Sequence, residues 1–213
     1  MFVVKIHFTR RRFIFYLLGT VTLALGIAMS VRTDIGVAPA STISHALSKL
    51  TLLSIGQSTS LYYVLCILIQ VIIARKITLK ILLQLPVAYL FGLLIDFFYA
   101  LLSFPLPGVL YRILLLLASL VISSLGIRIM VGANILLAPS DGVAQAIGKP
   151  FGWPMSKSKL AFDIIITAFT AILTLIAVRD VFYVVKAGTV IFAIGTGPTV
   201  GFFTKIFPLF DKE

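Results

Sequence analysis

Residues 17–47 read LLGTVTLALGIAMSVRTDIGVAPASTISHAL, and residues 117–147 read LASLVISSLGIRIMVGANILLAPSDGVAQAI. Ten of these 31 positions are identical at a constant offset of one hundred: Leu17, Val21, Leu25, Gly26, Ile27, Val31, Ile35, Ala38, Pro39 and Ala46. Apolar helices share some Leu, Val and Ile by chance. Leu-Gly-Ile and Ala-Pro at one shared offset are harder to obtain that way. Gly92 with Phe97-Phe98 likewise echoes Gly197 with Phe202-Phe203, at an offset of 105. The chain therefore reads as two copies of one unit.

Each copy lies in strongly apolar sequence. Of 213 residues, 60% are hydrophobic and 12% charged, against ~25% charged in a soluble globular chain. The mean hydropathy is +1.14. So little polar surface excludes a soluble enzyme, a disordered tail and a secreted disulfide scaffold. The single Cys66 excludes a disulfide framework and a cysteine-based zinc site. A membrane helix needs about 20 mostly apolar residues. Six stretches qualify, near 13–31, 60–74, 81–103, 112–131, 160–178 and 184–207. The basic start Arg10-Arg11-Arg12 is also that of a signal peptide. Its apolar run is longer than a signal's, and it has a partner one hundred residues on.

Repeat one spans 12–103 and repeat two 112–207, with three spans in each. Consecutive copies with an odd number of spans sit upside down to one another. The expected fold is all-α and integral to the membrane: six transmembrane helices in two inverted three-helix repeats. Inverted repeats are a recurring device of secondary transporters, with the site at the repeat interface. With the N-terminus inside, twelve Lys and Arg fall inside and five outside. This bias puts both termini in the cytoplasm by the positive-inside rule. The net charge of +11 is thus orientation charge, and nucleic acid is not an expected partner. The expected partners are membrane lipids and a small-molecule solute, with a second copy or an ATPase subunit as further candidates.

After the first span of each repeat comes a segment too polar to cross and too patterned for a plain loop. Pro39 and Pro139 stand where a short broken or re-entrant helix would begin, since Pro at a first turn loses no needed hydrogen bond. Ser41 and Asp141 are candidate caps for free N–H groups there. In the first short helix Ile43, Ala46, Leu47 and Leu50 share one face, and Ser41, Ser44, His45 and Ser48 another. If both helices fold inward, their N-terminal ends approach each other. Broken backbone at membrane depth is tolerated only inside protein or along a wet cavity. The alternative is an amphipathic helix lying in the interface.

Together, Leu18-Gly19-Thr20, Ala24-Leu25-Gly26-Ile27-Ala28-Met29-Ser30, Asp34-x-Gly36-x-x-Pro39, Ser124-Leu125-Gly126-Ile127 and Pro139-Ser140-Asp141-Gly142 resemble the YczE/YyaS/YitT family of bacterial integral membrane proteins. The YczE-like branch is the nearest, over residues 12 to 205. The resemblance implies a membrane protein with a permease role. It also implies a Pro-x-Asp in each half. Pro139-Ser140-Asp141 keeps it, whereas Ser41 takes the matching place in the first half.

The expected solute-binding set is Asp141, Ser140, Pro139, Asn134, Pro39, Ser41, Thr42, Ser44 and His45. Asp96, ionisable within a span, is the proton-coupling candidate, with pairing across helices as its structural alternative. Lys159 and Asp163 read as an i,i+4 ion pair. Arg128 reads as snorkelling to headgroups. Gly197 and Gly201 read as a close-packing pair. Tyr62, Tyr63, Tyr111, Trp153 and Tyr183 read as belt aromatics. No metal site and no cofactor are expected. An enzyme is not expected either: His-Glu-x-x-His, a P-loop and a dinucleotide glycine fingerprint are all missing from the sequence. Two other functions stay open, a substrate-binding membrane subunit of an ATP-driven importer and a membrane scaffold or regulator.

Overall fold

The computed structural model describes residues 9–207; Lys5, His7 and Lys212 lie outside them. The order is α1 (Arg10–Thr33), short α2 (Thr42–Leu50), α3 (Ile55–Ala74), α4 (Leu79–Leu101), α5 (Val109–Ala133), short α6 (Pro139–Gly148), α7 (Met155–Val178) and α8 (Ala187–Ile206). No strand occurs among the described residues. Six helices are long and apolar enough to cross a membrane. The outward faces of these helices carry Leu68, Ile72, Leu90, Leu114, Ile164, Ile176 and Ile194. Side chains of that kind call for lipid as their solvent, and the chain is a multi-pass membrane protein.

Local chemistry sets the ends. The second span starts at Ile55, five residues before its expected start, because Ser54 and Gln57 form a capping box. Gln57 N–H donates to Ser54 Oγ, and Ser54 N–H donates to Gln57 Oε1, each at 3.0 Å. Such a box satisfies two orphan donors at once. At the other end of each repeat's first helix stands a left-handed residue, Asp34 (φ 53°) after α1 and Asn134 (φ 51°) after α5. Each sends its N–H back, to Val31 O and Val131 O. Asp and Asn tolerate this conformation best after Gly, so the repeat keeps the turn while its charge changes.

The centre of the bundle is the α1–α5 crossing. Gly19 lies against Met130, Leu23 against Gly126, and Gly26 against Ser123. Rising numbers on α1 meet falling numbers on α5, so the two helices run antiparallel. A Cβ on Gly26 would stand 2.7 Å from the Ser123 nitrogen, and one on Gly126 2.5 Å from the Leu23 nitrogen. The two contacts exchange under the offset of one hundred. The other pairs repeat as well. α4 packs on α1 as α8 packs on α5, α2 on α3 as α6 on α7, and α2 on α7 as α6 on α3. This arrangement is consistent with an inverted repeat.

One relationship is broken. α3 and α4 pack side by side, whereas α7 and α8 are not a packed pair and are the least buried spans. Gly197 and Gly201 follow from this. Among the described residues neither position has a neighbour within 4 Å of a built Cβ, which corrects their reading as a packing pair. Tyr62 and Tyr63 are corrected also. Both are buried, and Tyr63 stacks on Phe91 with centroids 5.7 Å apart. Arg128 turns into the protein and donates to Phe207 O at 2.9 Å. The Phe207 carbonyl just past the end of α8 takes one of its donors.

Candidate solute path at the two short helices

The chain leaves α1 through Asp34 and Gly36, whose φ of 133° only Gly adopts freely. Gly36 presses on Gly188 and Thr189 at the start of α8. There Gly188 N–H donates to Ile35 O at 2.8 Å, and Val37 N–H to Thr189 Oγ1 at 3.4 Å. Lys49 and Lys186 both bind the Asp34 carboxylate, at 2.5 and 3.1 Å. Burial alone would raise the pKa of Asp34, but the hydrogen bonds and charges of the two lysines hold it below the usual carboxylate value.

This strapped turn directs the first residues of α2 into the protein. Thr42, Ile43, Ser44, His45 and Ala46 are all buried, so both faces of the amphipathic pattern are covered by protein. Thr42 Oγ1 lies 3.1 Å from Thr170 Oγ1 on α7, and neither residue is exposed. Thr42 Oγ1 also reaches Pro39 O at 2.8 Å, and Thr170 Oγ1 reaches Ile166 O at 2.7 Å. Two hydroxyl protons serve three contacts, so the pairing can re-form in more than one way. Thr170 is eight residues (178 − 170) from the end of α7, which is roughly 12 Å along the helix.

The second repeat makes the same junction with other atoms. Gly142 of α6 lies against the Gln70 side chain of α3. Gln70 Nε2 donates to Pro139 O at 3.0 Å and to Gln84 Oε1 at 2.9 Å. Thr42 and Gly142, like Gln70 and Thr170, are related by the offset of one hundred. Each short helix thus begins against a polar residue at the equivalent position of the opposite half.

A cavity adjoins each junction, at opposite ends of the bundle. The first, of about 530 Å³, opens among the end of α1, α2 and the starts of α3 and α5, lined by Arg32, Asp34, His45, Ser48, Lys49 and Arg112 among others. The second, of about 340 Å³, is lined by Gln70, Lys80, Gln84, Asn134, Gln145 and Lys149 among others. Asp34, His45 and Lys49 in one match Asn134, Gln145 and Lys149 in the other. His45 has its pKa pushed down to about 4, chiefly by burial and then by Lys49, so its imidazole is neutral at pH 7.

The expected site residues divide among these places. Thr42, Pro39 and Pro139 lie at the junctions, His45 in the first cavity and Asn134 in the second. Ser44 and Ser140 are buried beside them. Neither Ser41 nor Asp141 makes a side-chain cap bond, which corrects that expectation. Ser41 is half-buried at the start of α2. Asp141 is drawn away by Lys159, whose Nζ lies 2.9 Å from both Asp141 and Asp163. The expected Lys159–Asp163 pair is present, and a second acid shares its lysine. Asp96 is apart from all of these. It accepts from Gly56 N–H at 2.7 Å and Ser54 Oγ at 2.5 Å, at the start of α3. Sequence reading missed Gln70, Gln84, Thr170, Arg32 and Arg112. Extending the offset beyond residue 47 would have paired Gln70 with Thr170.

A sequence model of the Family of unknown function (DUF6198) matches residues 10–205. The chain belongs to that family. The match covers both repeats, both short helices and both cavities, so they belong to the family's domain. No curated protein matches the chain, and no solved structure does.

Proposed function

We propose that this DUF6198 protein is a small secondary transporter that moves a small organic solute by alternating access between its two repeats. The observation that carries this reading is the reciprocal junction, α2 on Thr170 and α6 on Gln70, with a cavity beside each. A scaffold has no need of two buried, polar and equivalent breaks in its helices. In a transporter they are where broken backbone lines the solute path. Rocking of the halves about the α1–α5 crossing would open one junction while the other stays closed. The likeness to the YczE/YyaS/YitT family, with its permease role, supports the same reading.

In this reading the N-terminus is cytoplasmic, the first cavity faces outward and the second inward, in a bacterial inner membrane. Thr42, Ser44, His45, Pro39 and Ser41 line the outer part of the path, and Pro139, Ser140 and Asn134 the inner part. Asp141 acts from behind, by fixing the α6 start to Lys159. Asp96, held by the α3 start, is the candidate for coupling protons.

The test is reconstitution of the purified protein alone into sealed vesicles, with electrical and tracer detection of a panel of small organic ions and neutral solutes. Flux without another subunit supports the proposal. Flux only after an ATPase partner is added would make the chain an importer subunit instead.

A further inference from the structure

Arg32 and Arg112 line one cavity without an acidic partner. Arg32 donates to Phe104 O at 3.0 Å and lies over the Tyr99 ring; Arg112 donates to Thr33 O at 3.3 Å. Among the described residues no carboxylate is in ion-pair distance of either guanidinium. Each contact uses one of five N–H donors in a planar fork. Part of this is helix capping, since cations at the end of α1 suit its dipole. Capping does not account for the remaining donors, nor for the buried Nε of Arg32, which has no hydrogen-bond partner.

The rest of the lining points the same way. Arg32, Lys49 and Arg112 face a single acid, Asp34, a surplus of two (3 − 1). Asp34 is already bound by Lys49 and by Lys186. Asp96, which bonds to the lining residue Ser54, and Lys186, which bonds to Asp34, add one charge of each sign beside the lining and leave the surplus unchanged. His45 lines the same cavity, is buried, and has no partner at Nδ1; the tautomer with a proton there is a donor. The second cavity carries Lys149 at the position equivalent to Lys49. There the repeat replaces Asp34 by Asn134, which keeps the left-handed turn and removes the negative charge. A low-dielectric cleft lined by one sign of charge concentrates ions of the opposite sign. A cation would meet this barrier at the first cavity.

We propose that the first cavity recruits a small organic anion, its carboxylate or phosphate received by Arg32, Arg112 and His45. Guanidinium forks fit both groups in bidentate fashion. That the anion is then carried across rests on the transport reading above; its recruitment does not.

The test reads the charge of the cavity directly. In a Cys66→Ala background, Ser48→Cys places a thiol in the lining, and Leu52→Cys gives an exposed reference. Each is reacted with sulfonatoethyl and with trimethylammonioethyl methanethiosulfonate, in detergent and in zwitterionic vesicles. The anionic-to-cationic rate ratio at position 48 should exceed that at position 52 by about tenfold. It should collapse toward the reference between about 10 mM and about 500 mM salt, a readout that needs no arginine variant. Arg32→Gln and Arg112→Gln should each lower it. Equal ratios at the two positions, or a faster cationic reagent at 48, would overturn the proposal. Anionic phosphatidylglycerol supplies the rival source of the same chemistry. If its addition to the vesicles removes the normalised advantage, a lipid headgroup is the occupant and the solute reading falls. If the advantage persists, the solute reading stands. The labelling needs no transport, so a chain that carries nothing can still pass, and a carrier of cations would fail.

Discussion

Thr42 and Thr170 lie 128 residues apart in sequence, in opposite repeats, and their hydroxyl oxygens are 3.1 Å apart with no exposure of either residue. The pair joins the start of α2 to the interior of α7, where the equivalent junction in the other half uses Gln70 and the Pro139 carbonyl. Since each threonine also has a local carbonyl, losing the mutual bond leaves neither hydroxyl unsatisfied. Thr42→Val and Thr170→Val should therefore each be mild. Their double-mutant cycle should give a coupling of about 0.6 kcal/mol, typical of hydrogen bonds between membrane helices. Thermal unfolding in detergent measures it. Strictly additive effects would mean that the two hydroxyls do not interact.

The α1–α5 crossing makes a sharper demand. Gly126→Ala puts a methyl group against the Leu23 backbone, which cannot swing aside as a side chain can. Overpacking of this kind costs about 1–3 kcal/mol. Gly197→Ala adds the same methyl group at an open position of α8 and should be neutral or slightly stabilising, as Ala is the better helix former. Unfolding midpoints of the two variants should separate clearly. Equal midpoints would mean that α1 and α5 are not in close contact at this point.

Lys159 is shared by two acids, and the three charges do not balance. Lys159→Met leaves Asp141 and Asp163 facing each other, and removing one partner of a buried pair costs about 3–5 kcal/mol. The cluster is partly exposed, so the lower end is expected. Asp141→Asn leaves one lysine with one aspartate and keeps an oxygen for Lys159, so it should cost well under half as much. If Asp141→Asn proves the more damaging in an unfolding assay, the carboxylate has a task beyond holding Lys159.

How much of this was legible in the sequence depends on distance along the chain. Spans, repeat and short helices are local or periodic signals; Pro139 begins α6 where the sequence puts it, and Pro39 begins the 3-10 turn Pro39–Ser41 that runs into α2. Start positions shifted where a local motif had more reach than hydropathy. Ser54 and Gln57 carry the second span five residues past its apolar run. Partners across helices were not legible. Lys159 was paired with Asp163, its neighbour one turn away, and nothing in the chain names Asp141 as a second partner. Residue type alone makes Tyr62, Tyr63 and Arg128 interfacial, whereas helix rotation turns them into the bundle. Gly197 and Gly201 have packing spacing, but α7 does not come close enough to use it.

His45 gives a pH dependence with a defined sign. Its pKa falls from an ordinary 6.5 to about 4 in the folded protein, because burial and then Lys49 oppose the charged form. Between these values the unfolded chain binds a proton that the folded one refuses. Stability from this group is therefore complete above pH 6.5, falls as pH drops toward 4, and is gone below it. The total is on the order of 3 kcal/mol. His45→Gln keeps a polar group of similar size and should flatten unfolding midpoints across this window. Asp34 titrates below it, so its loss of pairing should not mimic the effect. A wild-type slope that survives the substitution would assign the titration to another group.

The direction of the chain in the membrane can be tested apart from function. Six spans place the two termini on one side and the connection between α4 and α5 on the other, and the antiparallel α1–α5 crossing requires an even number of spans between them, here α3 and α4. Reporter fusions after Lys212 and within Phe104–Gly108 should therefore report opposite sides, with the terminal one cytoplasmic by the basic-residue bias. An experimental structure should bring residues 12–103 onto 112–207 by a rotation of about 180° about an axis in the membrane plane. The α3–α4 pair should be the worst-fitting part, since α7 and α8 are not packed in that way. Fusions reporting the same side would remove one span from the count. The two cavities would then not open on opposite sides of the membrane, and alternating access between them would have no geometry to act on.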